Sequence, residues 1–313
     1  MSWAFVFPGQ GAQAVGMGKD LAEAYPAAAA VFAEVDDALG EKLSELIWEG
    51  PIETLTLTAN AQPALMATSM AAMRALEAEG VSAAQAAFVA GHSLGEYSAL
   101  TAAGAFTVGD AAKLLRVRGE AMQSATPVGV GAMAALLGLD FETATAVAEE
   151  AAQGDVCQAA NDNDPGQVVV SGHKAAVERA VELAKDKGAK RAVMLPVSAP
   201  FHCALMQPAA DRMAEALAEV EIKVPAAPVV ANVLAEGAFD PGQIRDLLVK
   251  QVTGSVRWRE SVSWMAGQGV TGLAEIGAGK ALSGMARRIN RDLTCVAVNG
   301  AGDVAKAVDA IKG

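Results

Sequence analysis

Residues 91–95 read Gly-His-Ser-Leu-Gly, which places a serine between two glycines. An apolar, strand-like run precedes this segment over residues 86–90, and a helix-like stretch follows it. This context predicts a nucleophile elbow, a sharp turn whose crowded backbone excludes side chains on either side of Ser93. Free N–H groups at the start of the following helix favour the negative charge of a tetrahedral oxyanion. A glycine-rich turn with an incidental serine is the alternative.

A serine hydroxyl becomes a good nucleophile when a base removes its proton, and the chain contains three histidines. His92 adjoins Ser93, but neighbours on an elbow point apart, so we expect it to pack or bond locally. His173 begins a predicted helix, where a capping or surface role is the default. By elimination His202 is the candidate base, with a structural histidine as the alternative. An ordinary imidazole pKa of about 6.5 would suit its proton transfers.

An oxyanion needs backbone N–H donors. One comes from the residue after the nucleophile, Leu94, and the other from the loop after an early strand. Residues 8–11 (Pro-Gly-Gln-Gly) form that loop, and its glycines let the backbone approach a ligand closely. We therefore choose Gln10 as the second donor. Because the loop lacks a Gly-Lys-Ser/Thr ending, nucleotide binding is disfavoured.

Arg118 is the most informative charged residue. It lies four positions from both Leu114 and Met122, on the apolar stripe of a predicted helix, whereas Arg116 is predicted to lie on the solvated face. An inward guanidinium needs an anion, because an unpaired buried charge is costly. An internal salt bridge to Asp or Glu is one explanation, and a bidentate clamp for a substrate carboxylate is the other.

The elements that position these residues alternate short apolar runs with helical periods, which indicates an α/β fold. Between residues 129 and 195 the order is β-α-β-β-α-β, the ferredoxin-like motif. The stretch 161–166 (Asn-Asp-Asn-Asp-Pro-Gly) is predicted to be a turn between the central strands. We therefore expect a large α/β subdomain over 1–127 and 197–313, with a small ferredoxin-like subdomain inserted over 128–196.

Composition bounds the class of protein. The 313 residues are 52% hydrophobic, which is enough to bury a large core. No apolar run reaches bilayer-spanning length, and the N-terminus lacks the basic region of a signal peptide. A net charge of −12 disfavours nucleic acid or an anionic membrane as a partner. Three cysteines and three histidines without metal-type spacing predict no metal site and reduced thiols in a cytoplasm.

With these residues assembled, the chain resembles malonyl-CoA:acyl carrier protein transacylases nearly end to end. The segments that carry the resemblance are Phe7-Pro8-Gly9-Gln10-Gly11, Gln62-Pro63-Ala64, Gly91-His92-Ser93-Leu94-Gly95-Glu96-Tyr97, Arg118-Gly119, Pro165-Gly166-Gln167-Val168-Val169, Pro200-Phe201-His202 and Glu275-Ile276-Gly277. The resemblance implies a large hydrolase-like α/β subdomain and a small ferredoxin-like one. This agrees with the order of elements above.

The resemblance also implies roles for individual residues. Ser93 would be the nucleophile and His202 its base, and Arg118 would hold the malonyl carboxylate. Further roles fall to the oxyanion donors Gln10 and Leu94, the pocket residues Gln62 and Phe201, and the backbone carbonyl of Gln251, which would orient the histidine.

The implied reaction transfers malonyl from malonyl-CoA to the phosphopantetheine thiol of acyl carrier protein, in fatty-acid biosynthesis, without a cofactor. We expect a monomer. Because acyl carrier proteins are acidic and this chain is acidic too, docking needs local basic patches. Lys190 with Arg191, and Arg287 with Arg288, are the candidates, and ordinary solvated charges are the alternative.

Two other classes of protein compete with this interpretation. A serine esterase or thioesterase on a related scaffold would share the elbow, but the inward Arg118, the inserted subdomain and the lack of an obvious acidic triad member oppose it. The second is a non-catalytic binding partner within a synthase complex, which would not become acylated.

Overall fold

The computed structural model describes residues 1–197 and 199–313, and it contains two β-sheets covered by helices. The strands are β1 (Trp3–Phe7), β2 (Phe88–Gly91), β3 (Gly131–Leu137), β4 (Cys157–Asp164), β5 (Gln167–His173), β6 (Arg191–Met194), β7 (Val229–Val230), β8 (Gly237–Ala238), β9 (Gly272–Ile276) and β10 (Thr294–Val298).

The helices divide into those before the small sheet, those that cover it and those after it. In chain order they are α1 (Lys19–Ala24), α2 (Pro26–Leu39), α3 (Leu43–Glu49), α4 (Ile52–Thr56), α5 (Thr58–Ala78), α6 (Gly95–Ala102), α7 (Val108–Ser124), α8 (Phe141–Ala152), α9 (Lys174–Asp186), α10 (Gln207–Ala218), α11 (Pro241–Thr253), α12 (Trp258–Gly267), α13 (Ala281–Ile289) and α14 (Ala301–Lys312).

The large sheet has the order β10-β9-β1-β2-β7-β8, with parallel pairing except between β7 and β8. All five residues of β1 are buried, as expected for a central parallel strand covered on both faces. Phe7 at the end of β1 pairs with Gly91 at the end of β2. The loops that follow these two strands therefore leave the same edge of the sheet side by side.

The small sheet has the order β4-β5-β3-β6, with antiparallel pairing throughout. It has its own hydrophobic core, in which α8 and α9 contribute alanines and valines such as Val147 and Val177. The predicted β-α-β-β-α-β order is confirmed, and so is the α/β fold class with a large and a small subdomain. We propose boundaries near residues 127/128 and 196/197, because the small sheet takes its strands only from residues 131–194.

The turn predicted over 161–166 is wrong for most of its length. Residues 161–164 continue β4, with β-bulges between Ala159 and Asn161 and between Asp162 and Asp164. Asn and Asp favour turns because their side chains bond to nearby backbone. Here the side chains of Asp162, Asn163 and Asp164 bond to the large subdomain. Asp164 also accepts the Gly166 backbone N–H at 3.0 Å, and the turn is confined to Pro165 and Gly166.

The predicted solvated position of Arg116 is also wrong. Its side chain is only 16% exposed and donates to the Ala59 carbonyl oxygen at 2.7 Å and to Asn60 Oδ1 at 2.6 Å, while also contacting Glu41. Close packing of α7 on α5 brings these acceptors to Arg116, and helical periodicity alone cannot reveal them.

In the part of the chain that the structure describes, no helix is both long and apolar enough to cross a bilayer. Among the same residues, no three or more His, Cys, Asp or Glu side chains are grouped so that they could hold a metal ion. The cysteines Cys157, Cys203 and Cys295 are unpaired thiols.

Candidate active site

The loop between β2 and α6 is a tight turn. A Cβ added to Gly91 would lie 1.9 Å from the Gly95 carbonyl carbon, and one added to Gly95 would lie 2.2 Å from the Phe7 carbonyl oxygen. Ser93 adopts the left-handed backbone conformation, with φ of 54°. Both glycines are therefore required sterically, as the elbow prediction demands.

The Ser93 hydroxyl contacts His202 across the molecule. Oγ of Ser93 lies 2.8 Å from Nε2 of His202, and Nδ1 of His202 lies 2.9 Å from the backbone carbonyl oxygen of Gln251. A carbonyl oxygen can only accept a hydrogen bond, so Nδ1 carries the imidazole proton and Nε2 offers its lone pair to the hydroxyl. This is the arrangement that a general base requires.

Burial changes the acidity of this histidine. Desolvation, reinforced by the positive charge of Arg118, lowers the pKa of His202 to about 3. The expected pKa of about 6.5 is therefore wrong, because that value belongs to a solvated imidazole. His202 is neutral throughout the physiological range, which is the protonation state needed to accept a proton.

Arg118 points into the same site and is almost completely buried, with 1% of its surface exposed. Its NH1 donates to Gln62 Oε1 at 2.8 Å, and its NH2 donates to Gln251 Oε1 at 2.8 Å and to Ser93 Oγ at 3.1 Å. Among the described residues its direct acceptors are neutral oxygens, not carboxylates, and its Nε has no partner. Among the described residues, the internal salt bridge from Arg118 to an Asp or Glu is thus not formed.

A buried polar network bonds to the backbone of the elbow. The sequence analysis did not predict it. Oδ1 of Asn232 accepts from the Ser93 backbone N–H at 2.8 Å, and its Nδ2 donates to the Gly91 carbonyl oxygen at 2.7 Å. Oε2 of Glu96 accepts from the Asn232 backbone N–H and from Gln251 Nε2, both at 2.9 Å. Glu96 stands in the quoted elbow motif, but Asn232 lies 139 residues from Ser93 and only the fold reveals it.

The two candidate oxyanion donors lie on adjoining loops. Leu94 follows Ser93 directly, and the Gln10 loop packs on the elbow, since a Cβ added to Gly9 would lie 2.6 Å from the His92 carbonyl oxygen. Neither the Gln10 nor the Leu94 backbone N–H has an acceptor among the described residues. The Gln10 side chain instead donates to Thr58 Oγ1 at 3.2 Å.

Among the described residues, neither His92 nor His173 forms a hydrogen bond with the Ser93 hydroxyl. The Phe201 side chain has no group that could form one. His92 was expected to pack or bond locally: its ring lies 6.0 Å from that of Trp258, and its hydrogen bond is a distant one, from Nε2 to Oδ1 of Asn163 on β4 in the small subdomain, at 2.8 Å. Nδ1 of His173 accepts from the Val156 backbone N–H at 2.9 Å. Phe201 is buried in the main hydrophobic core beside His202 in sequence.

The candidate docking residues lie at one end of the small sheet. Arg191 begins β6, opposite Leu137 on β3, and Asp164 ends β4 on the far side. Arg288 donates from Nε to Asp164 Oδ2 at 2.8 Å while its side chain stays 55% exposed. Three strand spacings separate Arg191 from Asp164, about 14 Å. The two basic pairs, Lys190–Arg191 and Arg287–Arg288, therefore flank one edge of the molecule.

This edge adjoins the elbow. Asp164, which holds Arg288, directly follows Asn163, which contacts His92 next to Ser93. Two short contacts across the subdomain boundary, one at Arg288 and one at His92, thus lie at adjacent positions of β4.

The sequence matches the model of the acyl transferase domain family over residues 4–276. The malonyl CoA-acyl carrier protein transacylase of Escherichia coli K12 is 49% identical over 307 residues, which cover 98% of this chain and 99% of that protein. The Bacillus subtilis protein of the same name is 47% identical over 310 residues, which cover 99% of this chain and 97% of that protein.

Solved structures give the same result. The acyl-carrier-protein S-malonyltransferase of Bartonella henselae is 56% identical, covers 100% of both chains and superposes with a TM-score of 0.98. A malonyl-transacylase solved in complex with a type II polyketide synthase acyl-carrier protein is 45% identical, covers 99% of this chain and 100% of that chain, and has a TM-score of 0.96. The chain therefore belongs to the acyl transferase family, among the malonyl CoA-acyl carrier protein transacylases.

Proposed function

We propose that this enzyme transfers malonyl from malonyl-CoA to the phosphopantetheine thiol of acyl carrier protein, in fatty-acid biosynthesis, through a malonyl ester on Ser93. One observation carries the proposal: the Ser93 hydroxyl lies 2.8 Å from a neutral imidazole and 3.1 Å from a buried guanidinium. The imidazole activates the hydroxyl. The guanidinium provides a positive charge for the carboxylate of a malonyl group, which a simple acyl group lacks.

In the first half-reaction, Nε2 of His202 takes the hydroxyl proton while Oγ of Ser93 forms a bond to the thioester carbonyl carbon. The carbonyl oxygen becomes an oxyanion, which the backbone N–H groups of Gln10 and Leu94 stabilise. When the oxyanion collapses, the carbon–sulfur bond breaks. His202 gives its proton to the departing sulfur, so CoA leaves as a thiol.

The second half-reaction reverses these steps with a different thiol. The phosphopantetheine thiol loses its proton to His202 and attacks the Ser93 ester carbonyl. The carbon–oxygen bond to Oγ then breaks, and the proton returns from His202 to the serine. One thioester is exchanged for another, so the chemistry needs neither a metal nor a bound cofactor.

Arg118 supplies the selectivity in this proposal. Each charge-assisted hydrogen bond contributes about 1.5–3 kcal/mol, and removing the partner of a buried charge costs about 3–5 kcal/mol. Gln62 and Gln251 hold the guanidinium in place from two sides. Acetyl-CoA lacks the carboxylate and should therefore be disfavoured by at least roughly 100-fold.

The basic surface formed by Lys190 and Arg191 of the small subdomain and by Arg287 on α13 of the large subdomain is our candidate for carrier-protein docking. Lys190, Arg191 and Arg287 are exposed, and an acidic partner would bring its phosphopantetheine arm to the neighbouring elbow. The double variant Arg191→Glu/Arg287→Glu should raise the KM for carrier protein about tenfold or more and leave acylation by malonyl-CoA unchanged. Equal losses in both half-reactions would remove this surface from the proposal. Arg288 is left intact because it holds Asp164.

The setting of the reaction is also part of the proposal. Ser93, His202 and Arg118 all come from one chain, so a monomer suffices. The three unpaired cysteines are in keeping with a cytoplasmic location.

Mass spectrometry of the intact protein tests the central claim. Incubation with malonyl-CoA should add one malonyl mass, which carrier protein then removes, and Ser93→Ala should stay unmodified. A protein that gains no mass is a binding partner instead. Release of free malonate at the same rate with and without carrier protein would identify a hydrolase. Comparing a fatty-acid carrier with a polyketide carrier decides which one the enzyme serves.

A further inference from the structure

The positive charge of Arg118 is balanced at a distance. Its NH2 donates to Gln251 Oε1 at 2.8 Å, and Nε2 of the same amide donates to Glu96 Oε2 at 2.9 Å. The Gln251 side chain therefore stands between a buried cation and a buried carboxyl, and it bonds to both.

Glu96 is fixed in this position. It lies in the first turn of α6, is 1% exposed, and also accepts the Asn232 backbone N–H at 2.9 Å. With two donors on one oxygen, the carboxylate is held away from the guanidinium. No step of the proposed reaction uses an atom of Glu96.

We propose that Glu96 is a positioning residue that balances the charge of Arg118 through the Gln251 amide and thereby sets how strongly the pocket prefers a carboxylate-bearing acyl group. This inference rests on the proposed function. A direct Glu96–Arg118 ion pair would occupy the guanidinium, whereas a pocket without an anion would leave a buried charge unbalanced. One intervening amide avoids both outcomes.

The arrangement has a consequence for affinity. A malonyl carboxylate on Arg118 and a charged Glu96 repel each other, because both lie close to the same guanidinium in a poorly solvated site. Neutralising Glu96 removes this repulsion. The preference for malonyl over acetyl should therefore increase when Glu96 loses its charge.

Protonation provides that neutralisation near neutral pH. Burial raises the pKa of Glu96 to about 7. Of the ionisable groups around it, His202 has a pKa of about 3, burial also lowers the pKa of His92, and burial raises that of Tyr97 far above neutrality. Arg118 stays charged, since a guanidinium is not deprotonated in proteins. Glu96 therefore changes charge between pH 6 and pH 8.

The test is the ratio of malonyl to acetyl acylation rates of Ser93, measured by mass spectrometry at pH 6 and pH 8. Both substrates carry the same CoA phosphates and the same thioester leaving group, so titration of the phosphates cancels in the ratio. For the wild-type enzyme we expect the ratio to rise about tenfold from pH 8 to pH 6. Glu96→Gln keeps an oxygen acceptor, so its ratio should be high and independent of pH.

A matched control comes from a second buried carboxyl. Glu275 accepts the backbone N–H groups of Leu282 and Ser283 at 3.0 and 2.7 Å, and burial raises its pKa as well. Glu275→Gln should keep the wild-type pH dependence, because Glu275 has no contact with Arg118 or Gln251. A residue with only a structural role would change both acylation rates and leave their ratio unaltered.

A wild-type ratio that is the same at pH 6 and pH 8 overturns the inference, and that measurement needs no variant to fold. An unchanged pH dependence in Glu96→Gln overturns it too. If neither acyl-CoA modifies Ser93, the proposed function itself has failed. Malonylation with a constant ratio leaves the function standing and removes only the role of Glu96.

Discussion

Nδ1 of His202 lies 2.9 Å from the backbone carbonyl oxygen of Gln251, at a position where many serine hydrolases use a carboxylate. A backbone acceptor cannot be removed by changing a side chain. It also adds no negative charge beside the imidazole, and although its hydrogen bond raises the pKa of His202, burial and the charge of Arg118 outweigh that effect. The orientation of the base and the chemistry of the Gln251 side chain are thus separate properties of one residue.

Gln251→Ala tests that separation. The variant should keep the His202 hydrogen bond but lose the amide contacts to Arg118 and Glu96. We expect malonyl transfer to fall about 10- to 100-fold, while hydrolysis of a small activated acetyl ester by Ser93 falls much less. Steady-state rates with both substrates measure the difference. A parallel loss in both would mean that the side chain also maintains the base.

Arg118→Ala should lower malonyl transfer by at least about 100-fold and narrow the gap to acetyl-CoA. Arg118→Lys keeps the charge but loses the planar fork held by Gln62 and Gln251, so an intermediate loss is expected. Acylation rates from the two CoA esters provide the measurement. If Arg118→Ala retains wild-type selectivity, the guanidinium does not bind the malonyl carboxylate.

The lowered pKa of His202 predicts that the acylation rate of Ser93 stays constant on the acid side of its pH profile. Because the folded pKa is about 3, acylation of Ser93 by acetyl-CoA should show no inflection near pH 6.5 when it is followed from pH 8 to pH 5. A loss of activity centred near pH 6.5 would show that the imidazole titrates like a solvated one.

The same pKa affects stability with a definite sign. The unfolded chain gains a proton on His202 below about pH 6.5, which the buried imidazole does not accept, so folded stability decreases as pH falls below that value. Between pH 7 and pH 5 this contribution is about 2 kcal/mol. His202→Asn should therefore lose less stability than the wild type over this interval in denaturant titrations. Equal losses would contradict the assigned burial.

Gly91→Ala should abolish the elbow geometry, because its Cβ would lie 1.9 Å from the Gly95 carbonyl carbon. We expect loss of acylation together with lower thermal stability. Gly302→Ala is the matched control, since it lies inside α14 with no atom within 4 Å of the new Cβ. It should stabilise the protein by up to about 1 kcal/mol. Tolerance of Gly91→Ala would refute the tight turn.

Asn232→Ala removes the acceptor of the Ser93 N–H and the donor to the Gly91 carbonyl oxygen. Leaving such buried groups unpaired should cost about 2–4 kcal/mol of stability and slow acylation markedly. Asn232→Asp keeps the acceptor for the Ser93 N–H but places a buried carboxylate oxygen against the Gly91 carbonyl oxygen, so it should also lose stability. Thermal melts and single-turnover acylation compare the two.

The sequence was most informative about the parts of the candidate site that depend on local geometry. The glycines of the elbow, the strand before it and the inward position of Arg118 follow from spacing alone. His202 was reached only by elimination, because its contact with Ser93 spans 109 residues. The role of Asn232 was not predicted at all. An isolated asparagine is part of no sequence pattern that would distinguish a buried residue bonded to the elbow from a surface residue.

The errors have a common physical cause. The Asn-Asp-Asn-Asp stretch is typical of a turn, yet Asp162 bonds to Arg259, Asn163 contacts His92, and Asp164 bonds to Arg288. Tertiary partners thus engage three of the side chains on whose local backbone bonds turn propensity depends, and only Asp164 also keeps such a bond, to the Gly166 N–H. The pKa of His202 was misjudged for the same reason, because burial is a property of the fold and not of the residue.

Ser93 and His202 both have positive φ angles, 54° and 59°, a conformation that side-chain-bearing residues adopt at a cost of about 1–2 kcal/mol each. The two proposed reacting groups thus occupy backbone conformations that glycine adopts with less strain. Thermal stability and catalytic activity are opposed at these positions. A Ser93→Gly variant should have a higher melting temperature than the wild type and no acyl-transfer activity. Attempts to thermostabilise this enzyme should therefore leave both backbone kinks alone.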